Sequence, residues 1–208
     1  MASLQAVGKH TWMASGGSNI GFIAVDGTAV MIDAGLDGDS ARKALRGLDI
    51  ASAQVKAVIL THGHADHFGG AAWVAEQTGS PIYASALEGI FAQHPILEPL
   101  FLYHGACPIT ELRGKFTLAR QGIAGFLPLE AGQAAPANLL VQIAPLPGHA
   151  PAQIGIGYED TLFCGDVVFP EETLAKHPIL FCSDLDAWLE SLARLKAMSY
   201  EWFVAGHG

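Results

Sequence analysis

The chain has 208 residues, half of them hydrophobic, which is enough for one domain with a sizeable core. Charged residues make up 15% and the net charge is −9, with only eleven Lys and Arg and no dense cluster of them. That balance argues against a phosphate-tracking nucleic-acid binder, and a long disordered tail is not expected.

Three widely spaced cysteines, Cys107, Cys164 and Cys182, form no C-x-x-C pair and read as free thiols of a reducing compartment. Met1 to His10 lacks the basic start and apolar core of a signal peptide, and no apolar run approaches the roughly eighteen residues of a membrane span. The expectation is a cytoplasmic protein with no membrane partner.

In chain order, Asn19 to Val25 and Thr28 to Ile32 are apolar runs separated by Asp26-Gly27, the signature of a tight hairpin. Asp33-Ala34-Gly35 closes the second strand. Asp39 or Ser40 is placed to cap a helix with apolar positions Ala41, Ala44, Leu45 and Leu48. Val55 to Leu60 reads as a strand covered on both faces, Gly70 to Gln77 as a helix and Pro81 to Ala84 as a short strand. Proline and glycine interrupt residues 86–132, which are expected to form a partly helical insertion or lid carrying Phe91, Phe101, Tyr103, Phe116 and Phe126. Strands resume at Leu139 to Ile143, Ile154 to Tyr158 and Thr161 to Cys164, the last two joined at Glu159-Asp160. A helix from Asp184 to Met198 carries the stripe Leu185, Trp188, Leu189, Leu192 and Leu195, with Ser183 and Asp186 as a capping box, and Trp202 to Ala205 is a final strand. Strands that meander and then alternate with helices, twice over, suit two packed sheets with helices outside.

The chemistry sits between the strand ending at Leu60 and the Gly69-Gly70 pair. His62, His64, Asp66 and His67 place three imidazoles and a carboxylate within six residues, the ligand types that zinc and iron accept at neutral pH. Three later segments repeat the form of a strand, a turn with glycine and then a ligand: Gly148-His149, Gly165-Asp166 and Gly206-His207. His10, His94, His104 and His177 stand alone and read as surface or core residues, and Cys164 reads as a core-facing strand residue. No G-x-S-x-G elbow and no P-loop occurs.

H-x-H-x-D-H at His62, His64, Asp66 and His67, followed by His149, Asp166 and His207, resembles the metallo-β-lactamase fold superfamily from about Asn19 to the last residue. The resemblance implies an α/β fold: a four-layer αββα sandwich of two mixed β-sheets with helices on the outer faces, in one domain over residues 1–208 that ends just after the last ligand. It implies two divalent metal ions, zinc first and iron or manganese as alternatives. One ion would be held by His62, His64 and His149 and the other by Asp66, His67 and His207, with Asp166 bridging and Asp33 supporting from behind. A shared hydroxide would then attack a small ester, thioester or lactone, with Asp66 as the catalytic proton relay. A mononuclear iron sulfur-oxygenase of the persulfide dioxygenase kind, using a trio such as His62, His149 and Asp166, and a non-catalytic metal-binding protein are the alternatives. Within the family, the missing leader argues against a secreted β-lactamase, acidity argues against an RNA nuclease, and His64 argues against the flavin-linked diiron branch. Hydroxyacylglutathione-type thioesterases share the site but continue into a helical region beyond the position of His207.

Overall fold

The computed structural model describes residues 4–47 and 54–208. A seven-stranded sheet runs in chain order: β1 (Leu4–Ala6), β2 (Thr11–Ala14), β3 (Ile20–Val25), β4 (Thr28–Ile32), β5 (Val55–Ile59), β6 (Ile82–Ala84) and β7 (Leu127–Pro128). Its first four strands are antiparallel; from β4 to β7 pairing is parallel. The change of direction coincides with the crossover helix α1 (Gly38–Gly47), followed after β5 by α2 (Ala65–Phe68) and α3 (Ala71–Thr78). The second sheet holds β8 (Gly132–Ala134), β9 (Val141–Pro145), β10 (Ile154–Tyr158), β11 (Thr161–Gly165) and β12 (Trp202–Ala205), antiparallel except for the parallel β11–β12 pair.

Both hairpins form where the turn residues require them. Asp26 and Gly27 take positive φ (48° and 76°), the left-handed pair that matches the twist of β3 and β4, and Glu159 does the same (47°) between β10 and β11. Ile23, Val30, Ile32, Ala57 and Ile59 of the first sheet pack against Val141, Ile143, Ile154, Ile156, Phe163 and Val204 of the second. On the outer face of the first sheet lie Ala41, Ala44 and Leu45 of α1 with Ala71 and Val74 of α3. On the outer face of the second lie Trp188 and Leu195 of α7 (Leu185–Lys196), over Leu146, Leu162 and Cys164. The layers are therefore helix, sheet, sheet, helix, as expected. Between β6 and β7 the chain forms α4 (Ala86–Gln93) and α5 (Leu97–Leu102), then a stretch whose regular structure is one short 3₁₀ turn at Thr110–Leu112; α6 (Glu171–Lys176) precedes α7.

Several local expectations need correction. Asp37, not Asp39 or Ser40, holds the start of α1: its Oδ1 accepts both the Ser40 N–H and the Ser40 hydroxyl at 2.9 Å. Leu48 lies outside the described residues. At α7 the cap is Asp184, which accepts the Ala187 N–H at 3.0 Å, while the Ser183 hydroxyl is drawn away to Gly148 O at 2.8 Å. The inward face of α7 is Trp188, Ser191 and Leu195; Leu185 and Leu189 are exposed at 64% and 56%. Ser191 is accepted inside because its hydroxyl donates to Pro147 O at 2.6 Å. Among the described residues no helix is long and apolar enough to cross a membrane.

Candidate metal centre

The parallel β4 and β5 and the second-sheet strands β9, β11 and β12 all deliver a polar side chain at one edge of the sandwich. Asp33 follows β4, His62 to His67 follow β5, His149 follows β9, Asp166 follows β11 and His207 follows β12. Gly148 turns with φ 134°, and a side chain there would strike the backbone of Trp188. A methyl group on Gly206 would run into Asp166 Oδ1 and His67. These glycines let the chain approach the centre closely.

All seven predicted donors come together. Side-chain donor atoms of His62, His64 and His149 lie within 4.8 Å of one another, as do those of His62, His67 and Asp166, and those of Asp66, His67 and His207. Asp166 lies between the groups: its Oδ2 is 3.5 Å from His149 Nε2 and 3.2 Å from His207 Nε2, and its Oδ1 is 3.5 Å from His67 Nε2. Asp66 Oδ2 is 3.4 Å from His207 Nε2 and 3.8 Å from His67 Nε2. The four lone histidines lie outside this cluster; His10, for example, pairs with Glu159 at 3.0 Å on the surface. Cys164 faces the core, where burial pushes its thiol up to about 12 and its S–H donates to Val204 O.

The outward nitrogen of each of four rings is already committed. Asp33 Oδ2 accepts from His67 Nδ1 at 2.9 Å and from the Thr61 hydroxyl at 2.7 Å, and Asp33 Oδ1 accepts the Thr61 N–H at 2.8 Å. With its proton given to Asp33, the Thr61 oxygen accepts from His62 Nδ1 at 3.0 Å. His149 Nδ1 donates to Phe181 O at 3.1 Å and His207 Nδ1 to Gly17 O at 2.7 Å. Each ring is thereby left with Nε2 turned to the interior of the cluster, the arrangement that second partners impose on metal-binding imidazoles. Asn19 pins the last of these loops, donating from Nδ2 to Ala205 O at 3.0 Å and to Gly208 O at 2.9 Å. The Ser18 hydroxyl donates to Asp66 O.

The donors fit a divalent cation. His62 Nε2 and Asp166 Oδ1 are buried without a hydrogen-bond partner, and His64 Nδ1 faces His149 Nε2 at 3.0 Å. Buried polar atoms are rarely left so, and cations held by the overlapping groups His62, His64 and His149 and His62, His67 and Asp166 would satisfy them. The electrostatics divide the five imidazoles into two groups. Burial, with neighbouring imidazoles, holds His62 and His64 well below the ordinary histidine pKa, and burial lowers His149, so these three rings are held in the neutral form that a metal requires of imidazole. Burial also opposes charge on His67, but Asp166 and Asp66 outweigh it and hold His67 well above the ordinary value; burial likewise opposes charge on His207, and Asp166 overcomes it. Asp166 is held well below the usual carboxylate range, its burial outweighed by His67 and His207.

An aromatic wall flanks the donors. Phe181 lies 5.5 Å from the His64 ring and 5.9 Å from that of His149, Phe101 stands 5.9 Å behind it, and Phe169 stacks on His207 at 6.1 Å. Sequence reasoning missed Thr61, Phe181 and two buried carboxylates, Glu88 and Glu98. No local signal marked the glutamates: each stands alone among apolar residues of a short helix, a pattern that also fits a solvated charge. Burial pushes Glu98 up to about 8 and raises Glu88 as well.

A sequence model of the metallo-beta-lactamase superfamily matches residues 14–207. The probable metallo-hydrolase YflN of Bacillus subtilis is 27% identical over 173 residues, covering 74% of this chain and 65% of that protein. The hydroxyacylglutathione hydrolase of Halorhodospira halophila is 28% identical over 163 residues, covering 77% of this chain and 47% of that one. Hydroxyacylglutathione hydrolase 1 of Vibrio vulnificus is 40% identical over a shorter span of 85 residues. The aligned part thus spans 65% or less of each of these curated relatives. Among solved structures, the BLEG-1 B3 metallo-beta-lactamase superposes with a TM-score of 0.70 at 22% identity, covering 100% of this chain and 92% of that one. A metallo-beta-lactamase of Cronobacter sakazakii does so with a TM-score of 0.72 at 20% identity, covering 99% and 78%. At those identities the superpositions speak for the fold.

Proposed function

The chain belongs to the metallo-beta-lactamase superfamily, and from that premise we propose that it is a metal-dependent hydrolase of small thioesters, with esters and lactones as the neighbouring substrate classes. The observation that carries the proposal is the convergence of seven donors in overlapping groups around Asp166. His62, His64 and His149 would hold one divalent ion and Asp66, His67 and His207 a second, zinc being the ion this donor set suits best, with Asp166 reaching both. Such ions supply Lewis acidity toward a carbonyl oxygen and bring the ionisation of a water near neutral pH. The preference for thioesters rests on relatives named hydroxyacylglutathione hydrolases.

The chain's own residues have separable tasks. Asp33 and Thr61 fix which nitrogen of His62 and His67 faces inward. Asp66 is the carboxylate of the cluster with most access to solvent, 14% exposed against 4% for Asp166, and so is the group placed to accept a proton and pass it outward. Phe181, Phe101 and Phe169 offer an apolar face to the acyl part of a substrate and keep bulk water from the donors.

The test is turnover of a thioester, ester and lactone panel by the zinc-supplemented protein. We expect thioester cleavage that chelation abolishes and returned zinc restores. Asp66→Ala should lose about 10²–10⁴-fold of the rate while its far-ultraviolet circular dichroism stays that of the parent. No turnover across the panel, or an Asp66→Ala protein of parental activity, contradicts the assignment.

A further inference from the structure

Two carboxylates outside the donor set hold the ligand loops from behind. Glu88, on α4, is 1% exposed, and Glu98, on α5, is 4% exposed. Neither has an ion-pair partner among the described residues; their acceptors are used on backbone instead. Glu88 Oε2 accepts the N–H of Gly63, the residue between His62 and His64, at 2.8 Å. Glu88 Oε1 accepts the N–H of Ala152, three residues past His149, at 2.7 Å. The Ser85 hydroxyl, at the start of the same helix, donates to Ala152 O at 2.7 Å, so both polar atoms of that residue are tied to α4. Glu98 Oε2 accepts the N–H of Ala65, between His64 and Asp66, at 2.7 Å.

Burying a carboxylate is costly unless charge-assisted hydrogen bonds repay it, and apolar side chains would fill these places at less risk to stability. What an apolar residue could not do is fix two loops at a set distance. The Glu88 carboxylate spans the β5 loop and the β9 loop, whose ligands His64 and His149 face each other at 3.0 Å. We propose that Glu88 and Glu98 are positioning residues of the metal centre, with Glu88 setting the separation of His62 and His64 from His149 and Glu98 setting the turn between His64 and Asp66. This rests on the reading of the seven donors as metal ligands. It also gives the first part of the 86–132 segment a task at the site.

The two glutamates differ in a way that makes the idea testable. Both Glu88 oxygens accept an N–H, so a glutamine there can serve Gly63 or Ala152 but would point an NH₂ at the other. Glu98 uses one oxygen on backbone, which glutamine retains. Metal-stripped parent, Glu88→Gln and Glu98→Gln proteins are titrated with zinc against a chromophoric chelator, at a temperature where each is folded by circular dichroism. Glu88→Gln should bind zinc about 10- to 100-fold more weakly, the loss usual for partners that orient metal ligands, and Glu98→Gln should lose less. A role in stability alone would lower the melting temperature and leave the affinity of the folded protein unmoved, so parental affinity in Glu88→Gln overturns the proposal. If Glu88→Gln does not fold, Glu98→Ala against Glu98→Gln decides: a larger loss in alanine supports the clasp, and equal affinities overturn it. A parent protein that takes up no zinc overturns the metal reading itself, a result distinct from parent binding with unaffected variants.

Discussion

At the scale of single residues, the centre is a set of five imidazoles, three of them (His62, His64 and His149) kept neutral by burial and four (His62, His67, His149 and His207) turned inward by partners behind them. The seven donors were legible because each is a metal-ligand type at the end of a strand-like run, and four of them crowd into six positions. Asp33 was legible as a turn residue with a supporting task, and its contacts with Thr61 and His67 supply that task. Glu88 and Glu98 were not, because a lone acid in a short apolar helix reads as a solvated charge and nothing local says which loop will cover it. Their burial has a consequence for pH. In the metal-stripped protein Glu98 keeps its proton up to about pH 8, whereas in the unfolded chain it loses it near the ordinary glutamate value of 4.5. Between those values the folded state binds more protons, so this group makes stability fall as pH rises through that window and leaves a constant penalty above it. Glu98→Gln should therefore show a shallower decline of melting temperature from pH 5 to pH 8 than the parent; equal slopes would contradict the raised pKa.

At the scale of elements, runs bounded by turn chemistry were read well. The β3–β4 and β10–β11 hairpins form at Asp26-Gly27 and Glu159-Asp160, since left-handed turn residues are a local signal. β9 begins at Val141 and runs to Pro145, two residues later than the apolar run suggested, because pairing with β10 sets its register. β1, β2, β7, β8 and α6 were not foreseen; all are six residues or shorter, and long-range pairing decides such strands more than propensity does. The stripe on α7 was too broad, because leucines on its flank meet solvent while a serine with a hydrogen bond goes inside. The interface between the sheets is buried and apolar. Ile143, 1% exposed among Ile23, Val30, Ile59 and Phe163, is central to it. Ile143→Ala should cost about 2–5 kcal/mol in denaturant unfolding without altering zinc stoichiometry; a cost under about 1 kcal/mol would mean that the sheets do not pack as described.

At the scale of the whole molecule, the two sheets are hydrogen-bonded to each other beside the site. Ile154 N–H donates to Thr61 O at 2.9 Å, Asn19 N–H to Gly206 O at 2.7 Å, and the donors come from both sheets. The αββα layering followed from the order of strands and helices together with the family resemblance, whereas the clasp by α4 and α5 depends on packing between segments far apart in sequence. Because the donors belong to the folded state, bound metal should also stabilise the fold by mass action. The most direct test is element-resolved metal counting on the purified chain after zinc loading and removal of loose ions, with His149→Ala beside it. The account predicts two zinc ions per parent chain and a measurable deficit in His149→Ala. A parent chain that retains no stoichiometric metal, or a variant with the parent's full complement, would contradict it.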